Sequence, residues 1–176
     1  FSQDGSLLAA GDATGTVALW DLSERLFRWQ KVQAHADQVM TLAIAPDGQR
    51  VYSGSRDRSI HAWNLKGEAL FTLAGHRRRV HTLQLSNDSQ YLYSGSYDGT
   101  IQTWQALSGE LVDHWQQNQY IHEITLDAQH RPVVLTSDTQ TLSVWEIDSR
   151  TCRTTFTPSG ETLWHVSTSP DGQADS

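Results

Sequence analysis

Residues 75–115, GHRRRVHTLQLSNDSQYLYSGSYDGTIQTWQALSGELVDHW, hold four short apolar runs separated by turn residues. The runs are Val80 to Leu85, Tyr91 to Tyr93, Ile101 to Trp104 and Leu111 to Trp115. Each has the length of a strand, and most alternate apolar with polar residues, the period of a pleated strand. Asn87-Asp88-Ser89, Tyr97-Asp98-Gly99 and Ser108-Gly109 lie between them. Asn, Asp and Gly tolerate the backbone angles of tight turns, so the unit is predicted to be a four-stranded antiparallel meander.

Most of the chain repeats this unit. Trp20, Trp63, Trp104 and Trp145 are separated by 43, 41 and 41 residues. His35 and His76, Ser53 and Ser94, and Asp57 and Asp98 keep the same step of 41. A period in this range corresponds to one β-propeller blade per repeat. With Gly75-His76, the SGSRD run ending at Asp57, the SGSYDG run from Ser94 to Gly99 and the Trp20-Asp21 pair, the sequence resembles the WD-repeat family over nearly its whole length. The resemblance implies an all-β fold of propeller blades. It also implies a buried network linking a histidine, a serine, an aspartate and a tryptophan. Carried over by position, these are His35, Ser53, Asp57 and Trp63 in one blade, and His76, Ser94, Asp98 and Trp104 in the next. The donor and acceptor capacities of the four groups match one another. A histidine, serine and aspartate also suggest a catalytic triad, but the set recurs blade after blade, which explains a structural role.

The predicted boundaries follow the period. Residues 1–32 supply the last three strands of a blade, 33–73 and 74–115 are complete blades, 116–157 form a degenerate complete blade, and 158–176 begin another. By register, Ala10 and Thr14 stand where Ser53 and Asp57 do, so the first blade keeps only Trp20. In the degenerate blade Gln117 replaces the histidine, Leu135 the serine and Thr139 the aspartate, leaving only Trp145. The expected architecture is an open arc, part of a larger propeller and of a longer chain, since the family most often has seven blades. The competing expectation is that Leu163 to Ser167 pairs beside Leu7 to Ala10 and closes the ring.

A net charge of −7 disfavours general binding to nucleic acid or to a membrane surface. Cys152 is the only cysteine, which excludes an intrachain disulfide or a cysteine-based zinc site and fits a cytoplasmic location. His81 and His122 share a column on adjacent innermost strands, yet two histidines without a third ligand do not make a metal site. Asp12, Asp37, Asp138 and Glu161 are expected to be solvated loop charges.

Five of the eleven arginines fall in two short loops: Arg56 and Arg58 in one, Arg77, Arg78 and Arg79 in the next. In a propeller these loops emerge on one face, with Tyr97 and Tyr120 nearby. The expected function is therefore a non-catalytic scaffold for a protein or peptide partner, without cofactor or metal. The arginine loops are its candidate site for an acidic or phosphorylated segment. Two alternatives stand beside it. One is an enzymatic or cofactor-binding propeller of another family, for which Leu107-Ser108-Gly109-Glu110 between Trp104 and Trp115 has a passing likeness to quinoprotein repeats. The other is a nucleic-acid-binding propeller acting through the same arginines.

Overall fold

The computed structural model describes residues 1–138 and 141–157, all of them strands and the turns between them. The first sheet has three strands, β1 (Leu7–Gly11), β2 (Val17–Asp21) and β3 (Leu26–Lys31). The second holds β4 (Val39–Ile44), β5 (Arg50–Ser55), β6 (Ser59–Asn64) and β7 (Ala69–Ala74), and the third β8 (Val80–Leu85), β9 (Tyr91–Ser96), β10 (Thr100–Gln105) and β11 (Leu111–Gln116). The fourth contains β12 (Tyr120–Leu126), β13 (Pro132–Ser137), β14 (Leu142–Glu146) and β15 (Cys152–Phe156). Every pairing joins sequence neighbours and is antiparallel, so each sheet is a meander.

The sheets stack face to face, with β4, β8 and β12 side by side. Each interface has its own apolar core. Leu19 and Trp29 meet Val51 and Trp63 in the first, Tyr52 and Leu73 meet Leu92 and Trp104 in the second, and Tyr93 and Ile101 meet Ile121 and Val134 in the third. The middle strands of the second and third sheets are therefore covered on both faces. This is why β5 and β9 are buried at all but the first position, so the two-residue alternation vanishes there; β13 is buried throughout as well.

Two local devices recur. In every sheet the pairing of the last two strands shifts register at the residue before the tryptophan, as between Ala62 and Trp63 or Thr103 and Trp104. In β4, β8 and β12 a bulge falls at Met40, His81 and His122, the last two being the column that the sequence aligned.

Close approach of the blades depends on a glycine. A Cβ built on Gly95 would lie 2.4 Å from Cγ2 of Ile121 in the next blade, and one on Gly54 would lie 2.8 Å from Val80. The arc is open among the described residues, because β1 pairs only with β2. The proposed closing strand, Leu163 to Ser167, lies outside them. Gly95→Ala is expected to destabilise the fold by roughly 1–3 kcal/mol through overpacking. An unchanged urea midpoint would contradict this packing of the third blade on the fourth.

Candidate functional site

In the second blade the buried polar groups form a continuous chain. Trp63 Nε1 donates to Ser53 Oγ at 2.9 Å; because the Asp57 carboxylate at His35 Nδ1 can only accept, Nδ1 carries the ring proton and Ser53 Oγ donates to His35 Nε2 at 2.7 Å. The imidazole Nδ1–H then faces Asp57 Oδ2 at 3.1 Å and Ser59 Oγ at 3.0 Å. Asp57 also accepts from the backbone of Ala36 and Ser59 and from the Ser59 hydroxyl. Burial alone would raise the Asp57 pKa, but these donors and His35 outweigh it and hold the carboxyl at about 2.

The third blade is built the same way with one difference. Trp104 donates to Ser94 at 2.9 Å, and Ser94 meets His76 Nε2 at 2.8 Å. His76 Nδ1 reaches Thr100 Oγ1 at 2.9 Å, while Asp98 stands 3.7 Å away. Thr100 passes the connection on by donating to Asp98 Oδ1. Ser59 and Thr100 are thus a fifth member that the sequence analysis missed. Their signal is a hydroxyl two residues after each aspartate.

The fourth blade corrects the reading of its signature as lost. Trp145 Nε1 donates to Thr136 Oγ1 at 3.1 Å, and Thr136 donates to Gln119 Oε1 at 2.5 Å. Gln119 Nε2 faces Asp138 Oδ2 at 3.3 Å and Thr141 Oγ1 at 3.4 Å. The residue in the serine position is therefore Thr136, not Leu135, and the histidine is replaced by Gln119, not Gln117. Asp138 belongs to this network instead of being a merely solvated loop charge, and Thr139 lies outside the described residues. The error came from counting by the period. The hairpin before Trp145 is one residue shorter, since Ser94 precedes Trp104 by 10 residues and Thr136 precedes Trp145 by 9. A primary amide presents one acceptor and one donor along its length, as a neutral Nδ1–H imidazole does. In the first blade, where Ala10 provides no hydroxyl, Asp12 organises the turn by accepting from Thr14 and Thr16.

The loop entering β4 is bonded to the turn after β5, and the loop entering β8 to the turn after β9. Arg56 N donates to Gln38 O, Tyr97 N to Arg79 O, and Arg77 N to Asp98. Five arginine side chains, of Arg28, Arg56, Arg131, Arg150 and Arg153, pair with carboxylates. Among the described residues Arg77, Arg78 and Arg79 reach none. Arg79 instead lies 3.7 Å over the Tyr97 ring, which contacts Tyr120 at 5.7 Å and His81 edge-on at 4.9 Å. Arg56 is taken up by Asp37 at 3.7 Å. Arg58 is exposed, with a left-handed φ of 78°, at the turn position that Gly99 occupies in the next blade with the same φ. His81 and His122 serve separate contacts, the second with Ser137 Oγ at 2.5 Å.

The family model described as WD domain, G-beta repeat matches residues 1–21, 28–64 and 67–105, more than half of the chain. The chain belongs to the WD-repeat family. The match stops before the fourth blade, where glutamine and threonine stand in for histidine and serine. Relatives include the Lissencephaly-1 homolog of Caenorhabditis briggsae, 38% identical over 82 residues that cover 43% of this chain and 20% of that protein. WD repeat and SOCS box-containing protein 1 of Homo sapiens is 36% identical over 80 residues, 44% of this chain and 19% of the relative. Cell division control protein 4 of Candida albicans is 35% identical over 73 residues, covering 41% and 11%. This WD-repeat chain thus aligns with about a fifth or less of each relative's length.

Thr136→Val and Ser94→Ala are expected to destabilise the WD-repeat fold by similar amounts, roughly 1–3 kcal/mol, because each leaves an indole N–H unpaired. Thr14→Ala should cost much less. A urea midpoint unmoved by Thr136→Val would contradict the fourth-blade network.

Burial holds His35, His61, His81 and His122 below the ordinary imidazole value of 6.5; for His35 this outweighs the opposing pull of Asp57. The unfolded chain then takes up protons near pH 6.5 that the fold refuses, so stability is full above that pH and falls below it. Asp57 adds a second loss as pH drops from 3.8 towards about 2. The urea midpoint should be flat above pH 7 and decline before the carboxylates titrate. A midpoint that rises between pH 7 and 5.5 would reverse the sign.

Proposed function

We propose that the protein is a non-catalytic WD-repeat scaffold whose arginine-bearing face engages an acidic or phosphorylated segment of a protein partner. The carrying observation is that, among the described residues, Arg77, Arg78 and Arg79 are left without carboxylate partners. Arginine's planar fork matches carboxylate and phosphate, and an unpaired arginine has its donors free. The relatives' names are compatible with scaffolding, since one joins WD repeats to a SOCS box and another, Superkiller complex protein 8 of Dictyostelium discoideum, is named for a complex.

Arg58 is a further exposed arginine without a carboxylate partner among the described residues. Its left-handed backbone, shared by the turn residues Arg25 and Arg150, costs roughly 1–2 kcal/mol that a glycine avoids. Glycine's own entropic penalty of roughly 0.5–1 kcal/mol offsets part of that.

Arg77→Glu with Arg78→Glu should weaken binding of a poly-glutamate or phosphoserine peptide at least tenfold at physiological salt. The thermal melt should barely move, because both side chains are exposed. Equal binding by the double variant would refute the reading. Arg58→Gly should leave stability unchanged or raise it by as much as ~1 kcal/mol, while weakening the same peptides. A clear stability loss would show that Arg58 is held there for folding.

A further inference from the structure

Building on the reading of the arginine loop as a binding face, we infer that its preferred ligand group is a phosphotyrosine, the ring resting on Tyr120 and the phosphate on the Arg77–Arg79 loop. Three observations lead there.

First, the cations and the aromatic surface are joined. Arg79 covers one face of Tyr97 at 3.7 Å, and Tyr97 meets Tyr120 at 5.7 Å with the rings inclined at 43°. Tyr120 leads β12 at the loop face and is 50% exposed, so one side of its ring is open to an incoming group. His81 fixes Tyr97 from its edge at 4.9 Å. The platform is therefore ordered before any ligand arrives, which reduces the entropy that binding has to overcome.

Second, the guanidinium carbon of Arg79 lies 3.7 Å over the Tyr97 ring and the group meets no carboxylate among the described residues. A guanidinium held by a ring instead of an acid keeps N–H donors for an anion. Asp98, the acid bonded to this loop, has its oxygens committed to Arg77 N–H and to Thr100. It offers the loop no competing ion pair.

Third, the cations joined to the tyrosine platform come from one three-residue loop, Arg77 to Arg79, while Arg58 stands on the preceding blade. Exposed acids stand in the loop before β4, where Asp37 pairs with Arg56, and in the turn after β13, where Asp138 accepts from Gln119. Single-stranded nucleic acid needs a basic groove that tracks several successive phosphates. A single phosphate beside an aromatic ring suits a three-residue basic loop better. Phosphoserine has the charge but no ring, so the exposed face of Tyr120 would go unused.

The test uses the whole chain and Gly/Ser-flanked fluorescent peptides carrying phosphotyrosine, phosphoserine or unmodified tyrosine, with a short single-stranded RNA beside them, all read by fluorescence anisotropy. The phosphotyrosine peptide should bind about tenfold tighter than the phosphoserine peptide, the scale of one aromatic stacking contact. Tyr120→Ala should bring the two together without changing the phosphoserine value, and Arg77→Glu with Arg78→Glu should remove both. Equal affinities in the unaltered protein, or a preference that survives Tyr120→Ala, would overturn the inference while leaving the scaffold reading intact. RNA bound more tightly than either peptide would also overturn it. Failure to bind any phosphopeptide, or binding indifferent to the arginines, would sink both.

Discussion

The structure depends on burying polar groups that can satisfy one another. Stacked sheets cover their middle strands on both faces, so a hydroxyl such as Ser53 or Ser94, wholly excluded from water, must find its partners inside the protein. The tryptophan of the third strand supplies a donor and the histidine an acceptor. The histidine in turn hands its remaining proton to the acidic turn on the loop face. One chain of hydrogen bonds thus ties the middle of a blade to the turn that carries the exposed arginines. The scaffold and its candidate site are mechanically continuous.

The fourth blade shows that this constraint is on donors and acceptors, not on residue types. Gln119 and Thr136 keep the direction of every proton while changing two of the side chains. The blade is also fastened at its opposite end. Asp127 and Glu146 hold Arg131 and Arg153 in a cluster joining the β12–β13 turn to β14 and β15. Asp127 is kept well below the usual carboxylate range: burial pushes it up, but Arg153, Arg131 and backbone N–H groups pull it further down. Degeneration of the sequence signature therefore did not leave an unsupported blade.

The same economy explains the loop face. Asp57 and Asp98 stay ionised beside the arginine loops, but their oxygens are hydrogen-bonded within the blade networks and pair with no arginine side chain among the described residues, so the five arginines outnumber the three neighbouring acids, Asp37, Asp57 and Asp98. In a protein of net charge −7 this creates a local reversal of sign. Its reach is short, about 8 Å at physiological salt. Contact with the stacked tyrosines, more than long-range attraction, would then decide which anionic group is kept.

The sequence by itself determined the meander, the step of about 41 residues, the family and the members of two complete networks. Turn residues and strand periodicity are local, and His76, Ser94, Asp98 and Trp104 recur at fixed spacing. The single-residue contraction before Trp145 defeated that logic, because a shortened hairpin preserves strand pairing while shifting every column read by counting. Only tertiary structure showed that Gln119 replaces a histidine, since the equivalence lies in hydrogen-bond geometry across strands. Tertiary structure also sorted the arginines. Arg56 and Arg79 look alike in sequence, yet one is bound to Asp37 and the other lies on Tyr97, because which acid or ring comes within reach is set by how neighbouring blades stack.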